Sequence, residues 1–283
     1  MNELANFTAA SPLLLVGCGN MGGAMLRGWL DRGLKPDGVV VVEANRQAVE
    51  VRRFGRSGIA VIADIGAIPE GVTPRAVVFA VKPQVIADVA PAFKDLALPG
   101  AVFLSIVAGK RIACFEGHLG AQAPVVRAMP NTPAAVGRAI SVACANGAAG
   151  RRDVDLCSAL LAAIGEVAWI EDEDWLDAVT AVSGSGPAYA FYLAECMARA
   201  GETAGLPATL AAQLARAAVG GAGELLYQSD DAADALRKKV TSPGGTTQAA
   251  LEVMMRDDAL QGVVTEAIAA ATKRSRELSG QGA

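Results

Sequence analysis

"PLLLVGCGNMGGAMLRGWLDRG", residues 12–33, is the stretch on which the reading of the fold turns. Its opening is an unbroken apolar run that stops at glycine, which fits a strand buried on both faces. The half that follows repeats its apolar residues at helical spacing. Between them stand Gly17, Gly19 and Gly22 as G-x-G-x-x-G. At a strand-to-helix turn these glycines permit the tight turn, the close approach of a pyrophosphate, and close packing of helix on strand. The helix start adds free N–H groups and a partial positive charge. Asn20 and Met21, inside the motif, join the three glycines as candidate cofactor contacts.

The same alternation continues outward. "GVVVVEA" is a second strand, followed by the charged helix "RQAVEVRRFG". Further apolar runs follow at 75–81, 101–108, 124–130 and 139–145, then a helix in "RDVDLCSALLAAIG" and a short strand in "EVAWI". Strands that are apolar throughout and separated by helices predict a parallel sheet covered on both faces. After "EDEDWLDAV" no strand-length β-branched run returns. Residues 183–228 carry five charged side chains, Glu195, Arg199, Glu202, Arg216 and Glu224. Helices so apolar need cover on most of their circumference, which a second chain would supply. The expected architecture is an α/β Rossmann-type dinucleotide-binding domain, residues 1–170, followed by an all-α C-terminal dimerisation domain, residues 171–283.

Composition narrows the function. Of the 283 residues, 52% are hydrophobic but only 5% aromatic, and the net charge is −4. With a pI near 5.2 and no long basic cluster, nucleic acid and anionic membranes are poor partners. Mean hydropathy is +0.35, yet the longest apolar runs, such as 101–109, are about half of what a spanning helix needs. The first residues, "MNELANFTAASP", lack the pattern of a signal peptide. Cysteines 18, 114, 144, 157 and 196 are unpatterned, and His118 is the one histidine. Reduced cytoplasmic thiols are expected, with neither a disulfide frame nor a metal site.

Two strand ends bear on the cofactor. Glu43 lies 21 residues after Gly22, near where an acid would hold the ribose diol of NAD. Asn45 and Arg46 follow it and would suit a 2′-phosphate, so NADP is expected and NAD remains the alternative. Ala80, Val81, Lys82 and Pro83, in "FAVKPQ", end another strand, where the ligand crevice of an open α/β sheet lies. Lys82 would point to the nicotinamide side.

One further stretch, "VTSPGGTTQAAL" (240–251), opens a helix with two glycines flanked by hydroxyls and carries no acid, histidine or cysteine. Hydroxyl capping by Ser242 or Thr246 would explain a serine or threonine there. It would not explain adjacent glycines, which weaken a helix start. Taken with "GCGNMGGAM", "AVKPQ", "RAMPNTPAAVG" (127–137) and "SGSGPAY" (183–189), the sequence resembles the pyrroline-5-carboxylate reductase family over almost its whole length. The resemblance implies reduction of the cyclic imine Δ1-pyrroline-5-carboxylate to L-proline by NAD(P)H, the last step of proline biosynthesis. It also implies a homodimer or larger homo-oligomer in the cytoplasm. It places the substrate on Ser242, Gly244, Gly245, Thr246 and Thr247, with the Thr247 hydroxyl at the imine nitrogen as the catalytic group. It also puts Asn131 and Thr132 at the mouth of the cofactor cleft, and Ser185 and Pro187 as cap and first turn of a helix. Glu173 falls where some members place a substrate-contacting acid, although "EDED" would ordinarily be solvated. Lys239 stands where animal members carry a polar neutral residue. A β-hydroxyacid dehydrogenase would need a lysine early in the helical part, and none occurs between Lys110 and Lys238.

Overall fold

The computed structural model describes residues 3–280 apart from 46, 48, 70, 98 and 99. Arg46 therefore lies outside the described residues. By compactness the chain divides into residues 3–184 with 272–280, and residues 185–271. The expected boundary at 170/171 falls between the last strand and the helix that follows it.

The first unit is an eight-stranded sheet: β1 (Leu13–Val16), β2 (Val39–Val42), β3 (Ala60–Ile62), β4 (Ala76–Phe79), β5 (Val102–Ser105), β6 (Val125–Met129), β7 (Ala139–Ala145) and β8 (Gly165–Trp169). Their spatial order is β3-β2-β1-β4-β5-β6-β7-β8. Strands β1 to β6 run parallel, with Leu13 opposite Val39 on one side and Ala76 on the other. The order reverses at β1, so the carboxyl ends of β1 and β4 border the ligand crevice of a doubly wound sheet. Helices α1 (Asn20–Asp31), α2 (Val49–Gly55), α3 (Ile86–Val89), α4 (Ile112–Leu119), α5 (Arg151–Ala162) and α6 (Trp175–Val179) belong to this unit.

The wholly parallel sheet expected from the apolar runs is corrected at β7, which pairs antiparallel with β6, Met129 opposite Val142. The cause is the connection, residues 130–138, which holds only one 3-10 turn, Thr132–Val136. A crossover between parallel strands needs about a dozen residues or more, usually a helix. β8 then pairs parallel with β7, Ala139 opposite Gly165.

Alternate residues of each central strand serve two cores. Leu13, Leu15, Val78 and Leu104 pack with Met25 and Trp29 of α1 and Leu160 of α5. The Trp29 indole donates to the Leu160 carbonyl at 2.8 Å. On the other face Leu14, Val16 and Val77 join Phe79, Phe93, Phe103 and Phe115. Phe79 stacks on Phe115 at 5.6 Å and meets Phe93 edge-on at 5.3 Å between centroids. Each such buried ring contributes about 1.5–3 kcal/mol by area. Both faces are spoken for, which is why the strands could afford no polar alternation.

The second unit is helical: α7 (Gly186–Thr203), α8 (Ala208–Gln228), α9 (Ala233–Lys239) and α10 (Thr246–Met255), with the first turns of α11 (Ala259–Leu278). Residues 272–278, the end of α11, belong to the first unit, where the Ser275 hydroxyl bonds the buried Asp177 carboxylate at 2.5 Å. In the hairpin of α7 and α8, a Cβ on Gly201 would stand 3.2 Å from that of Ala211. Ala211 and Ala215 are buried there, whereas α7, α10 and α11 bury no residue. Phe191, Leu225 and Val263 are each 65% exposed. No helix of the described residues is long and apolar enough to cross a membrane.

Candidate active site

The glycine loop is held by two steric obligations and one opening. Gly17 has φ +93°, and a Cβ there would lie 2.8 Å from the Ala80 carbonyl oxygen and 2.9 Å from Val81 Cγ1. A Cβ on Gly22 would meet the Gly17 oxygen at 2.4 Å. At Gly19, by contrast, nothing lies within 4 Å of that position. The turn and the helix packing thus require the outer glycines, while the middle one leaves backbone open to a ligand. Gly19 is the N-cap of α1, and Gly23 N–H bonds its carbonyl at 2.7 Å. The N–H groups of Asn20, Met21 and Gly22 precede the first bond of the helical ladder, as the donors at a helix start do. These residues fit a dinucleotide pyrophosphate. Asn20 and Met21 also line a cleft of about 390 Å³ with Arg27, Glu50, Thr132 and Ala135.

The β2 end is more tightly built than its sequence revealed. Glu43 Oε2 accepts the Cys18 N–H at 3.0 Å, and Oε1 accepts that of Asn45 at 2.9 Å. Asn45 is exposed, and its Oδ1 accepts the Gln47 N–H at 3.2 Å. The Cys18 thiol is pushed up to about 12 by burial first and by the Glu43 charge second. It stays neutral and inert at ordinary pH.

At the β4 end, Lys82 is exposed and precedes the 3-10 turn Pro83–Val85, with Ala80 and Val81 packed under Gly17. Asn131 has both ends of its side-chain amide engaged within the protein. It is buried, its Nδ2 donates to the Ser183 carbonyl at 3.0 Å, and its Oδ1 accepts the Ile140 N–H at 3.0 Å. The side chain is committed to the fold, so Thr132, exposed beside it, is the member of the pair that reaches the cleft.

Glu173 is not the solvated surface acid that its run would suggest. Its side chain is 16% exposed, and it accepts from buried Arg127 at 2.7 Å and from the Ile112 N–H at 2.9 Å. Arg111 pairs with its other oxygen at 3.3 Å and with Asp174 at 2.7 Å. The carboxylate thereby fastens the segment after β8 to β6 and to the first turn of α4. Burial, then the Glu173 charge, raises the nearby Cys144 thiol to about 11.

In the second unit the glycines of "SPGGTT" have separate reasons. Pro243 and Gly244 occupy the middle of a turn closed by Gly245 N–H on the Ser242 carbonyl at 3.0 Å. Gly244 has φ +71°, the position that a proline–glycine turn reserves for glycine. Gly245 is the N-cap of α10, and no side chain caps it. The hydroxyl capping considered for Ser242 and Thr246 is therefore absent, as is a hydroxyl cap by Ser185, whose helix α7 nonetheless has Pro187 in its first turn. Gln248, unremarked in the sequence, does the bracing. Its Oε1 accepts the Gly244 N–H at 2.7 Å and its Nε2 donates to Glu252 at 2.9 Å. Its place as the third helical residue lets it reach back over the helix start, where it meets Gly244 and not the N-cap Gly245. Ala249 N–H makes the first ladder bond to Gly245, which leaves the N–H groups of Thr246 and Thr247 as outward donors beside the exposed Thr247 side chain. Lys239 forms an ion pair with Asp231 just before the loop. Among the described residues no group of His, Cys, Asp and Glu could hold a metal ion.

A doubly wound sheet with an open glycine loop at the tip of its first strand defines a dinucleotide-binding fold, here followed by a helical unit. Family models agree: residues 13–109 match "NADP oxidoreductase coenzyme F420-dependent", and residues 173–278 match "Pyrroline-5-carboxylate reductase dimerisation". The chain is 37% identical over 264 residues to the pyrroline-5-carboxylate reductase of Pisum sativum, covering 93% of this chain and 94% of the relative. Among solved structures, a pyrroline-5-carboxylate reductase from Coxiella burnetii superposes with TM-score 0.87 at 32% identity, covering 95% of this chain and 99% of that one. The Plasmodium falciparum pyrroline carboxylate reductase, solved with NADP bound, gives TM-score 0.78 at 25% identity, covering 96% and 99%. The chain belongs to the pyrroline-5-carboxylate reductase family.

Proposed function

We infer that this chain reduces Δ1-pyrroline-5-carboxylate to L-proline with NADPH, NADH serving less well. The observation that carries the reading is the start of α10, where outward N–H groups stand next to an uncommitted threonine hydroxyl, with no acid in the loop. A substrate that brings its own carboxylate and needs only orientation at nitrogen is matched by such a site.

The nicotinamide, when bound, supplies the hydride. The glycine loop, with the N–H groups of Asn20, Met21 and Gly22, holds the pyrophosphate. Asn45 and Arg46 take the 2′-phosphate, and Ala80 to Pro83 line the nicotinamide side. The N–H groups of Thr246 and Thr247 hold the substrate carboxylate, with the turn through Ser242, Gly244 and Gly245 shaping the cradle. Thr247 Oγ1 donates to the imine nitrogen, orienting the carbon that receives the hydride. As the C=N pair moves to nitrogen, a proton enters from solvent, completing the amine. Asn131 and Glu173 act through the fold and not on ligands.

The bare faces of α7, α8, α10 and α11 support a homodimer or larger homo-oligomer built through the helical unit. Five free thiols support a cytoplasmic setting. The test is NADPH oxidation dependent on pyrroline-5-carboxylate and unaffected by a chelator. No turnover with either nicotinamide, or its loss on chelation, would refute the reading.

A further inference from the structure

An acid at the tip of β2 ordinarily reads as the partner of a ribose diol, and so as a mark of NAD. Here the clients of that acid are already in place. Glu43 receives the N–H of Cys18, the second residue of the glycine loop, and the N–H of Asn45, on the loop that follows β2. Asn45 passes the order on to Gln47. One carboxylate therefore spans the two loops that border the adenosine end of a nucleotide. Cys18 is buried and Glu43 half-buried, so the Cys18 N–H has little access to water in place of this carboxylate, while the exposed Asn45 N–H is tied to it at the surface.

We propose that Glu43 is a positioning residue of the cofactor site, tying the glycine loop to the β2–α2 loop so that both walls stand ready before the nucleotide arrives. In this role it favours NADPH and NADH alike, and an acid at this position coexists with a 2′-phosphate. The inference rests on the nucleotide-binding reading of the glycine loop and is independent of the substrate's identity.

Both clients are donors, so both need an acceptor. Glu43→Gln has nearly the same shape but offers one acceptor and one donor. Whichever way the amide turns, one backbone N–H faces an NH2 group. Glu43→Asp keeps charge and both acceptors but is one methylene too short to hold the two loops at once.

Titration of the full-length protein with NADPH and with NADH, followed by cofactor fluorescence and paired with steady-state kinetics, is the test. Glu43→Gln is expected to weaken both cofactors by the same factor, about five- to tenfold. The ratio of their Kd values and kcat at saturating cofactor should each stay within about twofold. Glu43→Asp should show a smaller loss, again equal for the two. A role at the ribose would instead weaken NADH alone and leave NADPH unchanged or improved, and that result overturns the proposal. So does a variant with lowered Tm and unchanged Kd for both cofactors. If Glu43→Gln does not fold, the same equality criterion applied to Glu43→Asp decides. Wild-type protein that binds NADPH but reduces no pyrroline-5-carboxylate would refute the proposed substrate and leave this inference standing. Failure to bind either nucleotide would overturn both.

Discussion

Thr247→Ala separates capping from catalysis. Thr247 is the second residue of α10, whose N-cap is Gly245 and carries no side-chain cap. The turn before it is closed by Gly245 on Ser242 and braced by Gln248 on Gly244. Removing the hydroxyl therefore breaks none of the bonds that shape the loop. Alanine is the better helix former by up to about 0.7 kcal/mol, and less so in a first turn. Stability should change by no more than about 0.5 kcal/mol, or about 1–2 °C in Tm. Activity should respond on another scale. A single well-placed hydrogen bond to a reacting group is worth about ten- to a thousandfold, or roughly 1.4–4 kcal/mol of barrier. Steady-state kinetics beside differential scanning calorimetry should show kcat/KM for pyrroline-5-carboxylate falling by that factor, NADPH affinity within about twofold, and Thr247→Ser retaining most activity. A Thr247→Ala enzyme within about threefold of wild type would refute the catalytic role. A Tm lowered by more than about 4 °C would show that the hydroxyl caps α10 after all.

Ser141, fully buried in β7, has a hydroxyl without a hydrogen-bond partner among the described residues. Ser141→Ala should stabilise by about 1 kcal/mol in urea unfolding, and a loss would reveal a partner. Burial holds the Cys18 and Cys144 thiols at about 12 and 11 against an ordinary 9.0, with Cys157 pushed up further still. The native state thus keeps protons that the unfolded chain releases above about pH 9, so stability should fall as pH rises from there through about 11–12. Maleimide at pH 8 should leave these three unmodified in the native protein by mass spectrometry; modification would contradict their burial. Light scattering at low micromolar protein should give a dimer or larger, and a stable, active monomer would show that the bare helices need no partner.

The sheet was legible where every residue of a strand is apolar. Leu13–Val16 and Ala76–Phe79 are buried throughout, and their runs are short, β-branched or apolar, and bounded by turn residues. The direction of β7 depends on a connection too short for a helix, a signal carried by length and prolines and not by the strand itself. Glycines 17, 19 and 22 were readable because their spacing encodes steric demands that the backbone then meets. The partners of charged residues were not. Arg127 sits within an apolar strand and finds Glu173 across 46 residues of chain. Asp177 and Ser275 are 98 residues apart. Such pairs depend on tertiary placement, which local pattern does not carry. Glu43 was recognised as a strand-end acid, but its clients are backbone N–H groups, which leave no trace in a side-chain sequence. Adjacent glycines at a helix start have no explanation in local pattern, whereas in the fold the positive φ of Gly244 requires glycine.

Deuterium reports hydride transfer from the nicotinamide to the imine carbon directly. NADPH deuterated at the transferable C4 position would be incubated with this protein and pyrroline-5-carboxylate, and the product examined by mass spectrometry. The expected product is L-proline carrying one deuterium at C5, formed in step with cofactor oxidation. Unlabelled proline, or cofactor oxidation without proline, would contradict it.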